Sequence, residues 1–62
     1  PGEIYEGKFK NGLPHGKGKL IRDGIEGSGR WKNGKKNGKF ILRNLKSGEE
    51  RELYFVDDVL KQ

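Results

Sequence analysis

The sequence predicts an all-β fold of antiparallel hairpins. Three observations carry that prediction: eleven glycines spread along the chain, four Asn-Gly or Asp-Gly dipeptides, and an internal repeat of twenty-two residues. Glycine at positions 2, 7, 12, 16, 18, 24, 27, 29, 34 and 38 leaves no stretch long enough for a regular helix, because each interior glycine costs a helix about 1 kcal/mol relative to alanine. Alanine and methionine, both good helix formers, are absent. Asn11-Gly12, Asp23-Gly24, Asn33-Gly34 and Asn37-Gly38 supply the positive φ of tight turns, and they alternate with short runs of mixed apolar and polar residues.

A meander of five strands follows, near residues 4–10, 17–22, 28–32, 39–45 and 50–56. The first ends at Asn11-Gly12 and alternates Tyr5, Gly7 and Phe9 on one side with Glu6, Lys8 and Lys10 on the other. The second ends at Asp23-Gly24; if the hairpin is to bury anything, Gly18 and Leu20 join the aromatic side and Lys17, Lys19 and Ile21 take the opposite one. In the third, Gly29 and Trp31 oppose Ser28, Arg30 and Lys32 before the Asn33-Gly34 turn. The fourth sets Phe40 and Leu42 with the rings and Lys39, Ile41 and Arg43 away from them. One face is therefore aromatic and glycine-rich, with Gly7, Gly18 and Gly29 leaving room for rings over the backbone. The other carries eight cations: Lys8, Lys10, Lys17, Lys19, Arg30, Lys32, Lys39 and Arg43. Trp31 is expected at the centre of the largest apolar cluster, against Phe9, Leu20, Phe40 or Phe55.

The tail admits two readings. Ser47-Gly48-Glu49-Glu50 fits a helical capping box, with Leu53, Val56 and Leu60 on one helical stripe. Leu53-Tyr54-Phe55-Val56 is instead rich in strand formers. The strand is preferred, with any helix confined to the last few residues.

Shifted by twenty-two positions, Gly7-Lys8-Phe9-Lys10-Asn11-Gly12 aligns with Gly29-Arg30-Trp31-Lys32-Asn33-Gly34, and Gly16, Lys17 and Leu20 align with Gly38, Lys39 and Leu42. A weaker third copy at a shift of twenty-four sets Phe55 on Trp31, Asp57-Asp58 on Asn33-Gly34, and Leu53 in place of the glycine. Tyr5-Glu6-Gly7-Lys8-Phe9-Lys10-Asn11-Gly12, followed by His15-Gly16-Lys17-Gly18 and closed by Asp23-Gly24, resembles the membrane occupation and recognition nexus (MORN) repeat. In that family a Tyr-Glu-Gly-x-Phe/Trp-x-x-Gly strand precedes a His-Gly-x-Gly strand. The resemblance covers residues 5–24 and 29–39. Beyond it, Phe40 replaces the second glycine of the latter element and Asn37 its histidine, while the third copy keeps only the aromatic and the turn. The expected organisation is a single module over 1–62: repeat 1 at about 5–24, repeat 2 at about 27–48, and a degenerate third repeat or C-terminal cap at about 49–62. The resemblance implies one β-hairpin per repeat, stacked into a single-layer, elongated and twisted antiparallel sheet. It also implies a scaffolding, partner-binding or membrane-associating role.

Sixty-two residues, 29% of them apolar, allow one small domain with little core, so support from a longer array or from self-association is expected. A chain that starts at Pro1 rather than methionine reads as an excised piece. The net charge of +5 is unevenly spread: residues 1–48 hold twelve Lys or Arg against four acids, and residues 49–62 hold two against five. Such a field favours anionic partners, or simply keeps a small β protein soluble. No run of apolar residues is long enough to cross a bilayer, nothing at the start resembles a signal peptide, and cytoplasmic residence, peripheral at a membrane if anywhere, is expected. Without cysteine there are no disulfides, no thiol chemistry and no Cys-based zinc site.

Catalysis finds no footing. His15, the only histidine, follows proline in a turn with no partner placed for it. Gly12 to Lys17 and Gly34 to Lys39 read G-x-x-x-G-K, one residue short of a phosphate loop, and lack the Ser or Thr and the helix that should follow. No cofactor or metal is expected. Base stacking requires rings and cations on one face, and parity separates them, so nucleic acid is disfavoured. The expected function is a non-catalytic interaction or scaffolding module, with Tyr5, Phe9, Trp31 and Phe55 forming an aromatic groove for an apolar or acidic protein segment. The alternative is peripheral binding of the eight-cation face to anionic phospholipid, with only Ile21 and Ile41 to insert.

Overall fold

Four two-residue turns set the architecture. Asn11, Asp23, Asn33 and Asp57 hold φ of 53°, 51°, 51° and 49°, and the next residue in each pair, Gly12, Gly24, Gly34 and Asp58, is also left-handed. Two successive positive φ values match the right-handed twist of the strands they join, and Asn, Asp and Gly tolerate them at least cost. Asn37-Gly38 is not a turn: only Gly38 is left-handed, at 99°, and it marks a break within a strand. Asp57-Asp58, without any glycine, is the fourth turn.

The computed structural model describes residues 2–61 and contains seven strands: β1 (Ile4–Lys10), β2 (Leu13–Arg22), β3 (Ile25–Lys32), β4 (Lys35–Lys36), β5 (Gly38–Asn44), β6 (Glu50–Val56) and β7 (Val59–Leu60). They form one open antiparallel sheet in the order β1-β2-β3-β5-β6-β7, with β4 beside β3. The molecule measures 35 × 26 × 17 Å, a single twisted layer. Seven strands replace the five expected, for physical reasons that lie in the breakers. Pro14 and Gly16 hid the first half of β2, yet Pro14 lies opposite Phe9, next to the turn-closing Lys10–Leu13 pair, where no ladder N–H is needed. Gly16, at φ 89°, absorbs an irregularity where the register shifts between Gly7 and Phe9. The fourth strand is split at Asn37 into β4 and β5. The tail is strand at 50–56 and again at 59–60, so the helical reading fails among the described residues. Ser47 caps nothing helical. Asn44 Oδ1 accepts the N–H groups of Lys46 and Ser47, Ser47 Oγ accepts from Glu49, and the segment is a tight β5–β6 loop.

The register confirms the two faces. Tyr5 stands opposite Leu20, Gly7 opposite Gly18, Gly18 opposite Gly29, Gly27 opposite Leu42, and Gly38 opposite Phe55. On this face five rings make a continuous edge-to-face chain, Phe9–Tyr5–Trp31–Phe40–Phe55, with centroid separations of 5.0, 5.1, 4.7 and 5.5 Å. Trp31 and Phe40 are the buried core, 7% and 1% exposed.

The glycines are the floor under these rings. A Cβ on Gly18 would collide with the Tyr5 ring, and one on Gly29 would stand 2.7 Å from Phe40 Cγ. Repeat 2 therefore achieves with Phe40 what repeat 1 achieves with Tyr5. Tyr5 bridges Phe9 and Trp31, whereas Phe40 bridges Trp31 and Phe55. At a shift of twenty-two, Gly27 occupies Tyr5's place and Phe40 occupies Gly18's. The two departures are one change, which hands the bridging ring from one strand of the hairpin to the other.

Replacement of Trp31 by Ala is expected to cost about 3 kcal/mol or more, enough to unfold so thin a sheet, read from urea denaturation followed by far-UV circular dichroism. Phe40→Gly alone should be equally damaging. Adding Gly27→Tyr in the same chain should recover a folded protein, whereas failure to recover would show that the ring cannot be passed between the strands.

Candidate functional site

The four candidate groove residues, Tyr5, Phe9, Trp31 and Phe55, lie on one face and belong to the ring chain, but they do not line one cavity. An apolar hollow on that face, about 280 Å³, is lined by Leu20, Ile25, Trp31, Phe40, Leu42 and Phe55, with Gly27 at its floor. Tyr5 continues the chain outside it, and Phe9 sits at the margin, 59% exposed. Sequence reasoning missed Ile25 and Gly27. The signal was present in the repeat: Gly27 falls where repeat 1 has Tyr5, and the missing ring is what leaves the space between Leu20 and Leu42 open. A Cβ at Gly27 would already stand 3.1 Å from Leu42 Cδ2.

The aromatic face also bears cations that parity did not place there. Arg22 and Lys36 reach the rim of the hollow beside Asp23, and Lys36 Nζ lies 4.7 Å from the centroid of Phe55. Rings and cations are thus less separated than the sequence implied. The rings nevertheless pack edge-to-face against one another, with Trp31 and Phe40 buried, and present no stack of free faces to nucleobases.

On the opposite face the candidate cations are interleaved with acids. Lys19 Nζ sits 3.6 Å from Glu6 and 3.4 Å from Glu26, and Lys39 Nζ 3.5 Å from Glu52. Arg43 pairs across the strands with Glu26 and Glu50. Lys17 and Arg30 stand directly opposite each other, with no carboxylate among the ion pairs of the described residues. They line a shallow hollow of about 440 Å³ with Ser28, Lys39 and Ile41, floored by Gly18 and Gly29. Lys10 and Lys32 close the Asn-Gly turns, and Lys8 lies in the irregular stretch between Gly7 and Phe9. The apolar groups of this face are not limited to Ile21 and Ile41: Tyr54 pairs with Lys39 and is 47% exposed, and Ile4 pairs with Ile21.

His15 has a structural task. Its Nδ1 accepts the N–H of Asn33 at 3.2 Å, while the Pro14 carbonyl accepts Gly34 N–H at 2.9 Å. One repeat later the pattern recurs. Asn37 Oδ1 accepts Asp57 N–H at 3.2 Å, and the Lys36 carbonyl accepts Asp58 N–H at 3.0 Å. Asn37 is therefore a working substitute for the histidine, since either side chain offers an acceptor that clamps the next repeat's turn. Among the described residues no group of three His, Asp or Glu side chains is placed to hold a metal ion, and no helix is long and apolar enough to cross a membrane.

An open, single-layer sheet of repeated hairpins, with a ring chain over a glycine floor and a clamp between repeats, defines a non-globular repeat module. The MORN repeat model matches residues 5–24 and 28–39, more than half of the chain, and the chain belongs to the MORN repeat family, a non-catalytic repeat family. No curated protein and no solved structure gives a match.

Truncation of His15 to Ala should destabilise the sheet by about 1 kcal/mol, because Asn33 N–H loses its acceptor. His15→Asn should lose less than half of that in the same urea titration, if the acceptor rather than the imidazole is what matters.

Proposed function

We propose that the sheet is a protein-binding module whose hollow over Gly27 receives an apolar side chain of a partner, while Arg22 and Lys36 at the rim orient an acidic residue beside it. The observation that supports this reading is the hollow itself. Its walls, Leu20, Ile25, Trp31, Phe40, Leu42 and Phe55, are apolar, and Trp31 and Phe40 among them are the buried core. A preformed apolar recess beside fixed aromatic rings is the kind of surface on which a single anchoring side chain gains most. Rim charges add steering and orientation more than affinity. Enzymatic activity is not part of the proposal: the family is non-catalytic, and the Nδ1 of the one histidine is committed to a backbone N–H.

The opposite face supports a second reading, peripheral association with anionic phospholipid. Lys17 facing Arg30 is a like-charge pair that costs the sheet stability, and such a pair is relieved by an anion. Tyr54, opposite Lys39 on the same face, offers an exposed amphipathic ring. Glu6, Glu26 and Glu52 neutralise part of the same face, which ranks this reading second.

Titration of an acidic amphipathic peptide carrying one leucine or phenylalanine anchor into isotope-labelled protein is expected to shift the amides of Leu20, Ile25 and Gly27 and the Trp31 indole N–H. Lys36→Glu should weaken that binding. Absence of shifts there, or equal binding by a peptide with serine at the anchor, would sink the groove reading. For the lipid reading, Arg30, Lys32, Lys39 and Arg43 all changed to Glu should abolish co-sedimentation with vesicles containing phosphatidylserine at physiological salt. Undiminished sedimentation would remove it.

A further inference from the structure

Beside the hollow over Gly27 the sheet holds a second one, about 250 Å³, lined by Ile25, Leu42, Arg43, Asn44, Glu49 and Arg51. Ile25 and Leu42 wall both, so the two hollows are immediate neighbours. Each is open for a local reason. Gly27 has no side chain to fill the first. Asn44, two residues beyond Leu42 on the same face of β5, does have one, but its Oδ1 accepts the N–H groups of Lys46 and Ser47 at 2.9 and 3.0 Å, which turns it back onto its own loop. The charge around the pair is unbalanced: four cations, Arg22, Lys36, Arg43 and Arg51, line the two hollows against two acids, Asp23 and Glu49. Arg22 is already paired with Glu3 and Asp23. Lys36 at the first hollow and Arg51 at the second meet no carboxylate in the ion pairs of the described residues.

We propose that the two hollows form one site for an extended acidic segment of a partner protein, which sets two apolar side chains, two residues apart, into them and carries an acid beyond each. The inference rests on the reading of the hollow over Gly27 as a binding site and adds its neighbour to it. Size points to side chains as the occupants: each hollow falls below the roughly 300–1,000 Å³ typical of a small-molecule pocket. Spacing selects the conformation of the segment. Gly27 stands opposite Leu42, and Asn44 is two residues further along β5, so Gly27 and Asn44 are diagonal neighbours about 7–8 Å apart. An extended chain sets side chains i and i+2 on one side about 6.5–7 Å apart, whereas the i, i+3 and i, i+4 neighbours of a helix are closer, about 5–6 Å. Charge then sets the flanks. Lys36, whose Nζ stands over the Phe55 ring at 4.7 Å, and the exposed Arg51 each give an acid of the segment a partner where the protein supplies none.

Two synthetic peptides titrated into the isotope-labelled chain provide the test. One carries two leucines two residues apart between flanking glutamates, and the other has serine in place of one leucine. Both are expected to shift the Gly27 amide, but only the first should also shift Asn44 and Arg51, and it should bind about ten-fold or more tighter. Arg51→Glu, at an exposed position, should weaken the two-leucine peptide about five-fold or more, and replacing one flanking glutamate by lysine, at one end or the other, should restore its binding. If the second leucine adds no affinity while Gly27 still shifts, the paired site is overturned and the reading of the first hollow stands; if neither peptide shifts Gly27, both are overturned. Tighter binding by a helical peptide with its leucines four residues apart would overturn the extended register, and indifference to Arg51→Glu would overturn the acidic flank.

Discussion

Everything in this sheet depends on rings lying edge-to-face over a strip of backbone that has no side chains. A single β layer has no second sheet or helix to cover it, so its apolar face can be buried only by side chains of that same face folding over their neighbours. Tyr5 and Phe40 do this by leaning across Gly18 and Gly29, where a methyl group would collide with the ring. Trp31 is enclosed between them. The glycine content that weakens each strand considered alone is thus the condition for the core formed by the described residues. The same logic creates the hollow: where Gly27 replaces the ring of Tyr5 and Phe40 bridges from the other strand, the floor between Leu20 and Leu42 stays open.

A second constraint keeps successive hairpins in step. The Asn33-Gly34 and Asp57-Asp58 turns expose backbone N–H groups, and the preceding hairpin supplies their acceptors, once through His15 and Pro14 and once through Asn37 and Lys36. Lys36 N–H in turn donates to Asp58 Oδ1 at 2.7 Å, which makes the second clamp reciprocal. The clamps lie at one end of the strands and the ring chain across the middle, so adjacent hairpins are fixed at two places and cannot slip in register. Charges play a smaller part. The ion pairs Lys19–Glu6, Lys19–Glu26 and Lys39–Glu52 are exposed enough that each contributes little to stability, but they decide how much free positive charge remains on that face.

Much of this was legible from residue types. The Asn-Gly and Asp-Gly turns announced hairpins, the period of two assigned Tyr5, Trp31, Phe40 and Phe55 to one face, and the shift of twenty-two exposed the repeat. What misled were residues whose meaning depends on pairing partners. Pro14 reads as a strand breaker, yet it sits at a position where no ladder N–H is required. Asn37-Gly38 has turn composition and lies within a split strand, whereas Asp57-Asp58 has no glycine and turns as tightly as the others. Phe40 looked like decay of the motif, and only its neighbours show that it replaces Tyr5. In the site, parity found the rings but not the hollow, because a cavity is defined by what is missing from its walls. It also could not show that Lys36 swings over Phe55.

The sequence by itself determined the class of fold, the repeat, the turn chemistry and the two-faced character of the strands, because these follow from φ preferences and from alternation along a strand, both of which are local. The tertiary structure alone decided which ring covers which glycine, which turn each acceptor clamps, and which cations on the basic face meet a carboxylate. Those outcomes rest on cross-strand register and on side-chain reach over distances of several ångströms between residues about twenty positions apart, which composition and spacing along the chain do not encode.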